Sequence, residues 1–400
     1  MELLNEENSR EAREEEQAEN LEVVEAITED EVKRALKKMK SGKAVGPDNL
    51  PIEVWKCLGG EGITFLCETL NKICEEEEMP ESWRRSTLTP VYKNKGDIMS
   101  CGNYRGIKLM RHTMKLFERT IEHRLRSLVN ISKEQFRFME GKSTTDAIFA
   151  LRQVQEKYRD THKKLHGVFI DLEKAYNRLP WEELYWCMRE KNIPEKYVSI
   201  VKDMYKESET MVRCVSGTTE PYKVEVGLHQ GSTLSLFLFA IIMDILTDNI
   251  RIEAPWSMMF ADDVVICCEG KTELEENLER WRDGQEKRGM KVSRVKIEYM
   301  CLNGVPGGSV RIQDQRLPEV KEFKYLRSTL QADGGVDAEI SRRIQSGWNN
   351  WKKMSGVLCD KRIPTRVKGK MHQTVIQPAM LYRLETRPQT RRHRDWRWPR

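Results

Sequence analysis

Residues 256–268 read WSMMFADDVVICC, and this stretch decides the fold more than any other. Two apolar arms flank the adjacent carboxylates of Asp262 and Asp263, which is the pattern of a β-hairpin whose turn carries both acids. A buried charge without a partner is costly, so each carboxylate must be solvated, protonated, paired or bound to a metal. The hairpin therefore either exposes its tip to solvent or holds a cation there.

A third carboxylate, Asp171, likewise follows an apolar segment directly, Val168 to Ile170. Strand ends that bring three carboxylates together suit hard cations that prefer oxygen ligands, such as Mg²⁺ or Mn²⁺. Two such ions about 3.5–4 Å apart stabilise both the attacking and the leaving oxygen of a phosphoryl transfer. The pattern indicates a metal site, and an ordinary solvated hairpin tip is the alternative.

Helical and β-like segments alternate on both sides of these acids. Thr28, with Glu31 three residues later, is a capping-box signature and predicts a helix that stops at Gly42. Ser232 is a candidate N-cap for a strongly apolar helix. Further helices are predicted at 112–130, 143–160, 273–288 and from Asp337 onward, and strands within 87–110, 167–170, 291–302 and 322–326.

Length and charge describe a large, heavily solvated chain. Its 400 residues predict two to three subdomains, at roughly 150 residues per domain. Residues 1–30 carry 12 acidic and two basic side chains, and because the whole chain has a net charge of +5, the remaining residues carry +15. A basic body favours a polyanion such as nucleic acid, although a solvated surface without a partner explains the same charge.

Several other classes of protein are not indicated. The longest apolar run, 236–243, is far shorter than the ~18 residues that span a bilayer, and the first residues are acidic, so we expect neither a membrane-spanning nor a secreted protein. The ten cysteines form no C-x-x-C pair, which favours reduced intracellular thiols over a zinc module. The segment 141–144 imitates a phosphate-binding loop, but Phe136 stands where that loop requires glycine.

Seven blocks occur in one order along the chain: NYRGIKL (103–109), EQFRFMEGKSTTDAI (134–148), FIDLEKAYNRL (169–179), GLHQGSTLS (227–235), FADD (260–263), GMKVSRVKIEYM (289–300) and FKYL (323–326). Together they resemble the reverse transcriptase domain of LINE-like (non-LTR) retrotransposons of the RTE type, roughly from Ser41 to Glu385. The resemblance implies an α+β right-hand polymerase with fingers, palm and thumb, an antiparallel palm sheet, and RNA-directed synthesis of DNA from dNTPs on a primer 3′-OH.

The resemblance also implies the metal ligands and the general acid. Asp171, Asp262, Asp263 and the backbone carbonyl of Leu172 fall on the family's ligands for two Mg²⁺ ions, with Mn²⁺ as a possible substitute. Lys296 falls on the lysine proposed to protonate the leaving pyrophosphate.

Other positions fall on substrate contacts. Tyr176 matches the aromatic residue that floors the nucleotide pocket, and Gln230, Gly231 and Ser232 match the loop beside nucleotide and template. The alternatives are a core aromatic and a simple helix cap. Two basic residues, Lys93 and Arg105, match the grip on the triphosphate, where ordinary surface charges are the alternative. The helix with Trp348 and Trp351 resembles a thumb, or it is an ordinary amphipathic helix.

The predicted organisation is an acidic disordered tail (1–27), fingers (28–165), a palm with part of the fingers inserted (166–335), thumb-like helices (336–384) and an arginine-rich tail (385–400). The expected partners are an RNA template, a DNA primer and dNTPs, without a membrane. We expect an intracellular location, in the nucleus, the cytoplasm or both.

Six positions depart from the family pattern: Asn177 replaces Asp, Arg137, Arg327 and Arg383 replace Gly, and Glu140 and Leu236 replace Pro. An arginine at a glycine position is serious where the backbone needs a positive φ or a close approach. We therefore expect a truncated, partly decayed copy without the family's endonuclease. Its alternatives to an active polymerase are a catalytically inactive nucleic-acid-binding remnant and an unstable chain without function.

Overall fold

A computed structural model describes residues 5–13, 19–252, 256–303 and 309–386. These residues form two compact units that alternate along the chain. The first unit takes its residues from 1–132, 172–251 and 281–292, and the second from 133–171, 252–280 and 293–400. Residues 387–400 of the predicted arginine-rich tail (385–400) lie outside the described residues.

The first unit combines helices with a small sheet. Its helices are α1 (Glu29–Lys38), α2 (Ile52–Cys57), α3 (Gly59–Glu76), α4 (His112–Leu128), α6 (Ala175–Arg178), α7 (Trp181–Glu190), α8 (Glu195–Tyr205) and α9 (Leu234–Thr247). Its strands are β1 (Arg85–Tyr92), β2 (Tyr104–Leu109), β4 (Glu209–Cys214), β5 (Gly217–Thr218) and β6 (Tyr222–Lys223).

The sheet of the first unit is mixed. Strands β1 and β2 form an antiparallel pair with Val91 opposite Arg105, while β1 and β4 run parallel. The short strands β5 and β6 both pair antiparallel with β4. Helix α9 is buried along nearly its whole length, as its run of Leu, Phe and Ile predicts.

The second unit carries the hairpin formed by residues 257–268. Its strands are β3 (Leu165–Asp171), β7 (Ser257–Phe260), β8 (Asp263–Cys268), β9 (Glu298–Leu302), β10 (Arg311–Ile312), β11 (Gln315–Arg316), β12 (Glu322–Tyr325) and β13 (Ser328–Gln331). Its helices are α5 (Thr144–Asp160), α11 (Asp337–Leu358), α12 (Thr365–Met371) and α13 (Gln377–Met380), and α10 (Lys271–Glu286) contributes residues to both units.

Four strands of the second unit form an antiparallel sheet in the order β7-β8-β3-β9. One face packs on α5 and on the β12–β13 hairpin, with Phe169 stacked on Phe323 at a centroid distance of 3.8 Å. This core fixes β3 and β8, the two strands that end in the predicted carboxylates.

The local signals in the sequence are confirmed where they are strong. Thr28 and Glu31 form the predicted capping box of α1. The β7–β8 hairpin is also confirmed, but the prediction that its turn carries both acids is wrong. The two-residue turn consists of Ala261 and Asp262, and Asp263 pairs with Phe260 as the first residue of β8. Ser143, part of the false phosphate-loop motif, is instead the N-cap of α5 in a capping box.

Part of the amino-terminal segment, for which the sequence predicts a disordered or loosely helical tail, contacts the first unit. Residues 5–13 contain no helix or strand, and Asn8 Nδ2 donates a hydrogen bond to Gly289 O at 2.8 Å. Arg13 pairs with the buried carboxylate of Glu183 at 2.7 Å. Complementary charge therefore holds part of this acidic segment. The boundaries predicted for fingers, palm and thumb stay predictions.

Two of the arginines that replace glycine lie at positive φ. Arg327 has φ 67° and follows Leu326 at φ 46° in the two-residue turn between β12 and β13, and Arg383 has φ 53°. Side chains disfavour this region because Cβ approaches the following carbonyl oxygen.

Within the described residues, no helix is long and apolar enough to cross a membrane.

Candidate functional site

The β3–β8 register brings the predicted acids together. Asp171 ends β3 and lies directly opposite Asp263, the first residue of β8. Asp262 precedes it in the turn, after Ala261 at φ 60°. Residues directly opposite each other in antiparallel strands have Cα atoms about 4.5–5.5 Å apart and side chains on the same face. Asp171 and the distant pair Asp262-Asp263 thus share one end of the sheet.

The electrostatics of this carboxylate cluster, Asp171, Asp262 and Asp263, oppose full ionisation. Burial raises the pKa of Asp263 to about 7, assisted by the charges of Asp262 and Asp171. Burial also raises the pKa of Asp262, with a further contribution from Asp171. Like charges directly opposite in a sheet repel each other, so the cluster favours a nearby cation.

Two cationic side chains of the second unit already face these acids. Lys296 donates a hydrogen bond to the carboxylate of Asp171. Arg137 Nη1 lies 3.9 Å from Asp262 Oδ1. Both cations act to lower the pKa values of Asp262 and Asp263, against the larger effect of burial.

The position of Lys296 follows from the backbone after α10. Ser293 N–H donates to Asp171 O at 2.9 Å, and Lys296 N–H donates to Ser293 O at 3.2 Å. This turn connects the end of β3 with the residue that reaches its carboxylate. The predicted catalytic residues Asp171, Asp262, Asp263 and Lys296 are therefore all neighbours within the second unit, although their roles stay predictions.

The oxygen donors fit a divalent cation in chemistry. Carboxylates are the ligands that Mg²⁺ and Mn²⁺ prefer, and the mutual repulsion at this sheet end would be relieved by one. Within the described ranges, no group of three or more His, Cys, Asp or Glu side chains is gathered closely enough to hold a metal ion as it stands. In this arrangement Asp171 pairs with Lys296 and Asp262 lies near Arg137.

Tyr176 and the loop Gln230-Gly231-Ser232, all predicted substrate contacts, lie together in the first unit. Gln230 Nε2 donates to Asn177 Oδ1 at 2.6 Å, and Leu228 N–H donates to Tyr176 O at 2.6 Å, so this loop lies against α6. Gly231 has φ 116°, and a Cβ there would lie 2.9 Å from Lys108 O. Glycine is therefore required by both conformation and space.

Tyr176 and Asn177 have structural partners of their own. The ring of Tyr176 stacks on Phe239 of α9 at a centroid distance of 4.3 Å. Asn177, at a position where the resembled family has Asp, uses its side-chain oxygen for Gln230. The aromatic packing predicted as the alternative for Tyr176 is present, and its predicted place at the nucleotide stays a prediction.

Ser232 is buried, and its hydroxyl serves the protein interior. Its Oγ accepts the N–H of Ser235 at 3.1 Å in the first turn of α9, which supports the predicted capping. The same hydroxyl is a hydrogen-bond partner of the buried Glu118. The residue that precedes α9 directly is Thr233, which makes no side-chain cap.

Lys93 and Arg105 both lie at the loop end of the β1–β2 hairpin and are exposed. Lys93 Nζ donates to Gly102 O at 2.8 Å. Leu172, the predicted carbonyl ligand, is buried and belongs to the first unit, where it forms a bridge with Val292. The predicted phosphate grip and the Leu172 ligand stay predictions.

Sequence reasoning did not assign a role to Gln135 or Arg137. Gln135 is fully buried, and its Oε1 accepts N–H groups from both Arg137 and Ala261 at 3.1 Å. Only the replacement of Gly by Arg137 drew attention in the sequence. The pairing of this segment with β7 leaves no signal in the local pattern.

The chain matches a known family of polymerases. Residues 92–330 match the family Reverse transcriptase (RNA-dependent DNA polymerase). Because the match covers more than half of the chain, the chain belongs to the reverse transcriptase family. This membership confirms the resemblance recognised from the seven sequence blocks.

Curated relatives come from mobile elements. The transposon TX1 uncharacterized 149 kDa protein of Xenopus laevis is 28% identical over 83% of this chain and 27% of its own length. The probable RNA-directed DNA polymerase from transposon BS of Drosophila melanogaster is 23% identical over 90% of this chain and 42% of its own length. The chain therefore spans less than half the length of these relatives.

Two solved structures of telomerase from Candida tropicalis also align with the chain. The apo telomerase has a TM-score of 0.48 at 13% identity, covering 84% of this chain and 63% of the telomerase chain. The form truncated at its C-terminal domain has a TM-score of 0.47 at 12% identity, covering 72% and 60%. The α+β class is confirmed by the observed helices and by the antiparallel sheet itself.

Proposed function

We propose that the chain is the polymerising part of an RNA-directed DNA polymerase, which adds dNTPs to a primer 3′-OH. The observation that carries this proposal is the antiparallel register that sets Asp171 opposite Asp263, next to Asp262. Membership of the reverse transcriptase family supports the same reaction. In this proposal the RNA template, the DNA primer and the dNTPs are the substrates and partners.

The carboxylate cluster, with the Leu172 carbonyl, is proposed to hold two Mg²⁺ ions, for which Mn²⁺ can substitute. When bound, such ions supply charge stabilisation to the oxygens of an in-line phosphoryl transfer. The chain's own contribution is to fix the carboxylates at the end of a rigid sheet, whose core packs behind β3 and β8. Lys296, already next to Asp171, is proposed to protonate the leaving pyrophosphate.

The nucleotide contacts belong to the same proposal. Tyr176 and the loop Gln230-Gly231-Ser232 are proposed to line the pocket for the sugar and base, and their mutual hydrogen bonding supports a rigid loop. Lys93 and Arg105 are proposed to bind the triphosphate, since both are exposed and Arg offers a bidentate fork.

An intracellular location, in the nucleus, cytoplasm or both, is also proposed, and imaging of the tagged chain tests it.

Primer extension tests the proposed activity. The purified chain is incubated with a primed RNA template, dNTPs and Mg²⁺, beside the variants Asp262→Asn and Asp314→Asn. Asp314 is an exposed acid in the turn between β10 and β11 of the same unit, so it controls for loss of one negative charge. We expect extension by the wild type and Asp314→Asn, and at least a 100-fold loss in Asp262→Asn, the order expected when an essential electrostatic group is removed.

The same experiment distinguishes the catalytically inactive remnant. If no dNTP is incorporated while the chain still binds a primed RNA/DNA hybrid in a salt-sensitive way, the polymerase proposal is wrong and the remnant is favoured. Extension that is equal in wild type and Asp262→Asn would also contradict the proposed site.

A further inference from the structure

We propose that Arg137 is a built-in cation of the carboxylate cluster, which lowers the affinity of Asp262 and Asp263 for a divalent ion. The proposal rests on the proposed function, because it concerns the same site. Its starting observation is the 3.9 Å distance between Arg137 Nη1 and Asp262 Oδ1.

The backbone places Arg137 at the turn that carries Asp262. Met259 N–H donates to Glu134 O at 2.9 Å, and Phe136 N–H donates to Met259 O at 2.8 Å. The segment 134–136 therefore runs beside β7 like an additional parallel strand, with Gln135 as the bridge partner of Met259. These backbone hydrogen bonds place Arg137, the next residue, beside the turn between β7 and β8.

Gln135 then ties Arg137 to the turn itself. Its side-chain oxygen accepts the N–H of Arg137 and the N–H of Ala261, each at 3.1 Å. Since Gln135 is fully buried, exchange of these bonds with water is restricted. The distance between the backbone of Arg137 and the Asp262 turn is thus fixed by one shared acceptor.

Aromatic rings hold the guanidinium group near the acids. The Arg137 guanidinium carbon lies 4.7 Å from the centroid of Phe138 and 5.3 Å from that of Phe260. Cation–π contacts at these distances favour a position of the guanidinium group over the two rings. Phe260 directly precedes the turn that contains Asp262. The guanidinium group of Arg137 therefore contacts the Phe260 ring and lies near the Asp262 carboxylate at the same time.

The charges show what this cation does. Asp171 is paired with Lys296, and Arg137 supplies positive charge to Asp262, so two of the three acids have a cationic neighbour within the chain. A divalent ion that binds Asp262 and Asp263 must approach Arg137 against repulsion. Removing one positive charge at about 5 Å from a dication should strengthen its binding by about tenfold, even with the dielectric constant of water.

Binding of Mn²⁺ alone tests the inference without requiring activity. Free Mn²⁺ is followed by electron paramagnetic resonance during titration of the full chain, in low salt, for the wild type, Arg137→Gln, Arg137→Lys and Asp262→Asn. Arg137→Gln keeps a side chain of similar length without the charge, whereas Arg137→Lys keeps the charge. The half-exposed position of Arg137 makes both variants compatible with folding, and circular dichroism verifies this.

We expect Arg137→Gln to bind Mn²⁺ about tenfold more tightly than the wild type, equivalent to ~1.4 kcal/mol, and Arg137→Lys to stay within about twofold of it. The gain should shrink at 0.5 M salt, where charges on partly exposed groups are screened. Asp262→Asn should lose this site, and the double variant Arg137→Gln/Asp262→Asn should lose the gain.

The outcomes separate the two proposals. If the wild type and Arg137→Gln bind Mn²⁺ equally at a site that Asp262→Asn removes, the inference about Arg137 is wrong while the metal site stands. If no Mn²⁺ site in any of these proteins depends on Asp262, both the inference and the proposed metal site are wrong.

Discussion

Glu118 and Lys108 are two buried ionisable residues of the first unit. Glu118 is 2% exposed and Lys108 is 5% exposed. Burial raises the pKa of Glu118 to about 7, against the hydrogen bond from Ser232 and the charges of Lys115 and Lys108. Burial also lowers the pKa of Lys108 to about 7, and Lys108 Nζ donates to Ser208 Oγ at 3.0 Å.

These shifts predict how stability depends on pH. The pKa of Glu118 is 4.5 in its ordinary state and about 7 in the fold, so its stabilising contribution is complete below pH 4.5 and is lost as the pH rises through about 7. Lys108 acts in the opposite direction above pH 7, because the unfolded chain then holds the additional proton. Asp263, whose pKa is also raised to about 7, contributes in the same pH range, so the effect of Glu118 is measured as the difference between the wild type and a Glu118 variant.

Glu118→Gln should remove this pH dependence, since glutamine resembles the protonated acid. Relative to the wild type, its free energy of unfolding should increase between pH 5 and pH 7 by roughly 1–3 kcal/mol. Urea denaturation at several pH values measures the difference. A difference that stays constant over this interval would show that Glu118 keeps its ordinary pKa in the fold.

The Arg327 backbone is a local source of strain at the scale of one hairpin. The turn between β12 and β13 has two consecutive residues at positive φ, Leu326 and Arg327, a geometry that usually requires glycine or asparagine. The turn is held from outside: Tyr382 Oη donates to Leu326 O at 3.0 Å, and Arg343 donates to Arg327 O. Arg343 is itself fixed by the buried Glu339 at 2.7 Å.

Arg327→Gly should stabilise the chain by about 0.5–1 kcal/mol, because relief of the left-handed conformation exceeds the entropy that glycine loses on folding. Arg327→Ala is the matched control, since it removes the exposed side chain and keeps the Cβ. We expect no gain for the alanine variant in chemical denaturation. An equal gain in both variants would assign the effect to the arginine charge and not to the backbone.

Helix α9 is anchored by a buried acid near its end. The side chain of Asp244 is 2% exposed and accepts hydrogen bonds from Lys191 at 2.5 Å, from Arg251 at 2.8 Å and from the N–H of Ser132 at 3.1 Å. These bonds hold the pKa of Asp244 below its usual value despite burial. One carboxylate thus connects α7, α9 and the segment after α4.

Asp244→Ala should destabilise the chain by about 3–5 kcal/mol, because it leaves Lys191 and Arg251 without their buried partner. Asp248→Asn supplies the comparison on the following turn. Asp248 is 65% exposed and also pairs with Arg251, so its loss should cost less than about 1 kcal/mol. Thermal and urea denaturation give both values, and similar losses in the two variants would contradict a special role for Asp244.

The distribution of charge over the whole molecule favours a polyanionic partner. Beyond the acidic first 30 residues the chain is basic, and helix α11 presents Lys352 and Lys353 to solvent together with Trp348, which is 51% exposed. Basic and aromatic groups on one exposed helix suit the backbone and bases of nucleic acid. This agrees with the predicted thumb-like role, which stays a prediction.

Lys352→Gln/Lys353→Gln should weaken binding of an RNA/DNA hybrid and reduce the slope of log K against log salt by about 2. Lys37→Gln/Lys38→Gln changes the net charge equally on exposed residues of α1 and should leave the slope near that of the wild type. Fluorescence anisotropy between 50 and 300 mM salt measures the slopes. Equal slopes in the two double variants would place the contact elsewhere.

Local sequence signals identified several of the elements. The two apolar arms around Asp262 and Asp263, the capping box at Thr28 and the apolar run of α9 each depend on interactions within a few residues. The substitutions of glycine were also visible, and the positive φ of Arg327 and Arg383 gives two of them a conformational meaning.

The contacts that depend on long-range pairing were not readable in the same way. The sequence around Gln135 does not indicate that its side chain accepts hydrogen bonds from Arg137 and from Ala261. Ala261 lies more than 100 residues further along the chain. Likewise, the hydrogen bond between the Ser232 hydroxyl and Glu118 depends on how α4, which contains Glu118, packs within the first unit. Such contacts arise when separate segments pack, and hydrophobic periodicity does not specify them.

The sequence by itself determined that this protein has an acid-bearing hairpin, a second apolar strand ending in Asp171, and the ordered blocks of a reverse transcriptase. Only the tertiary structure decided that Asp171 lies opposite Asp263 and that Arg137 reaches Asp262. The reason is that backbone propensity and side-chain period act over a few residues, whereas the charge at a site is the sum of groups that strand pairing brings together from distant parts of the chain.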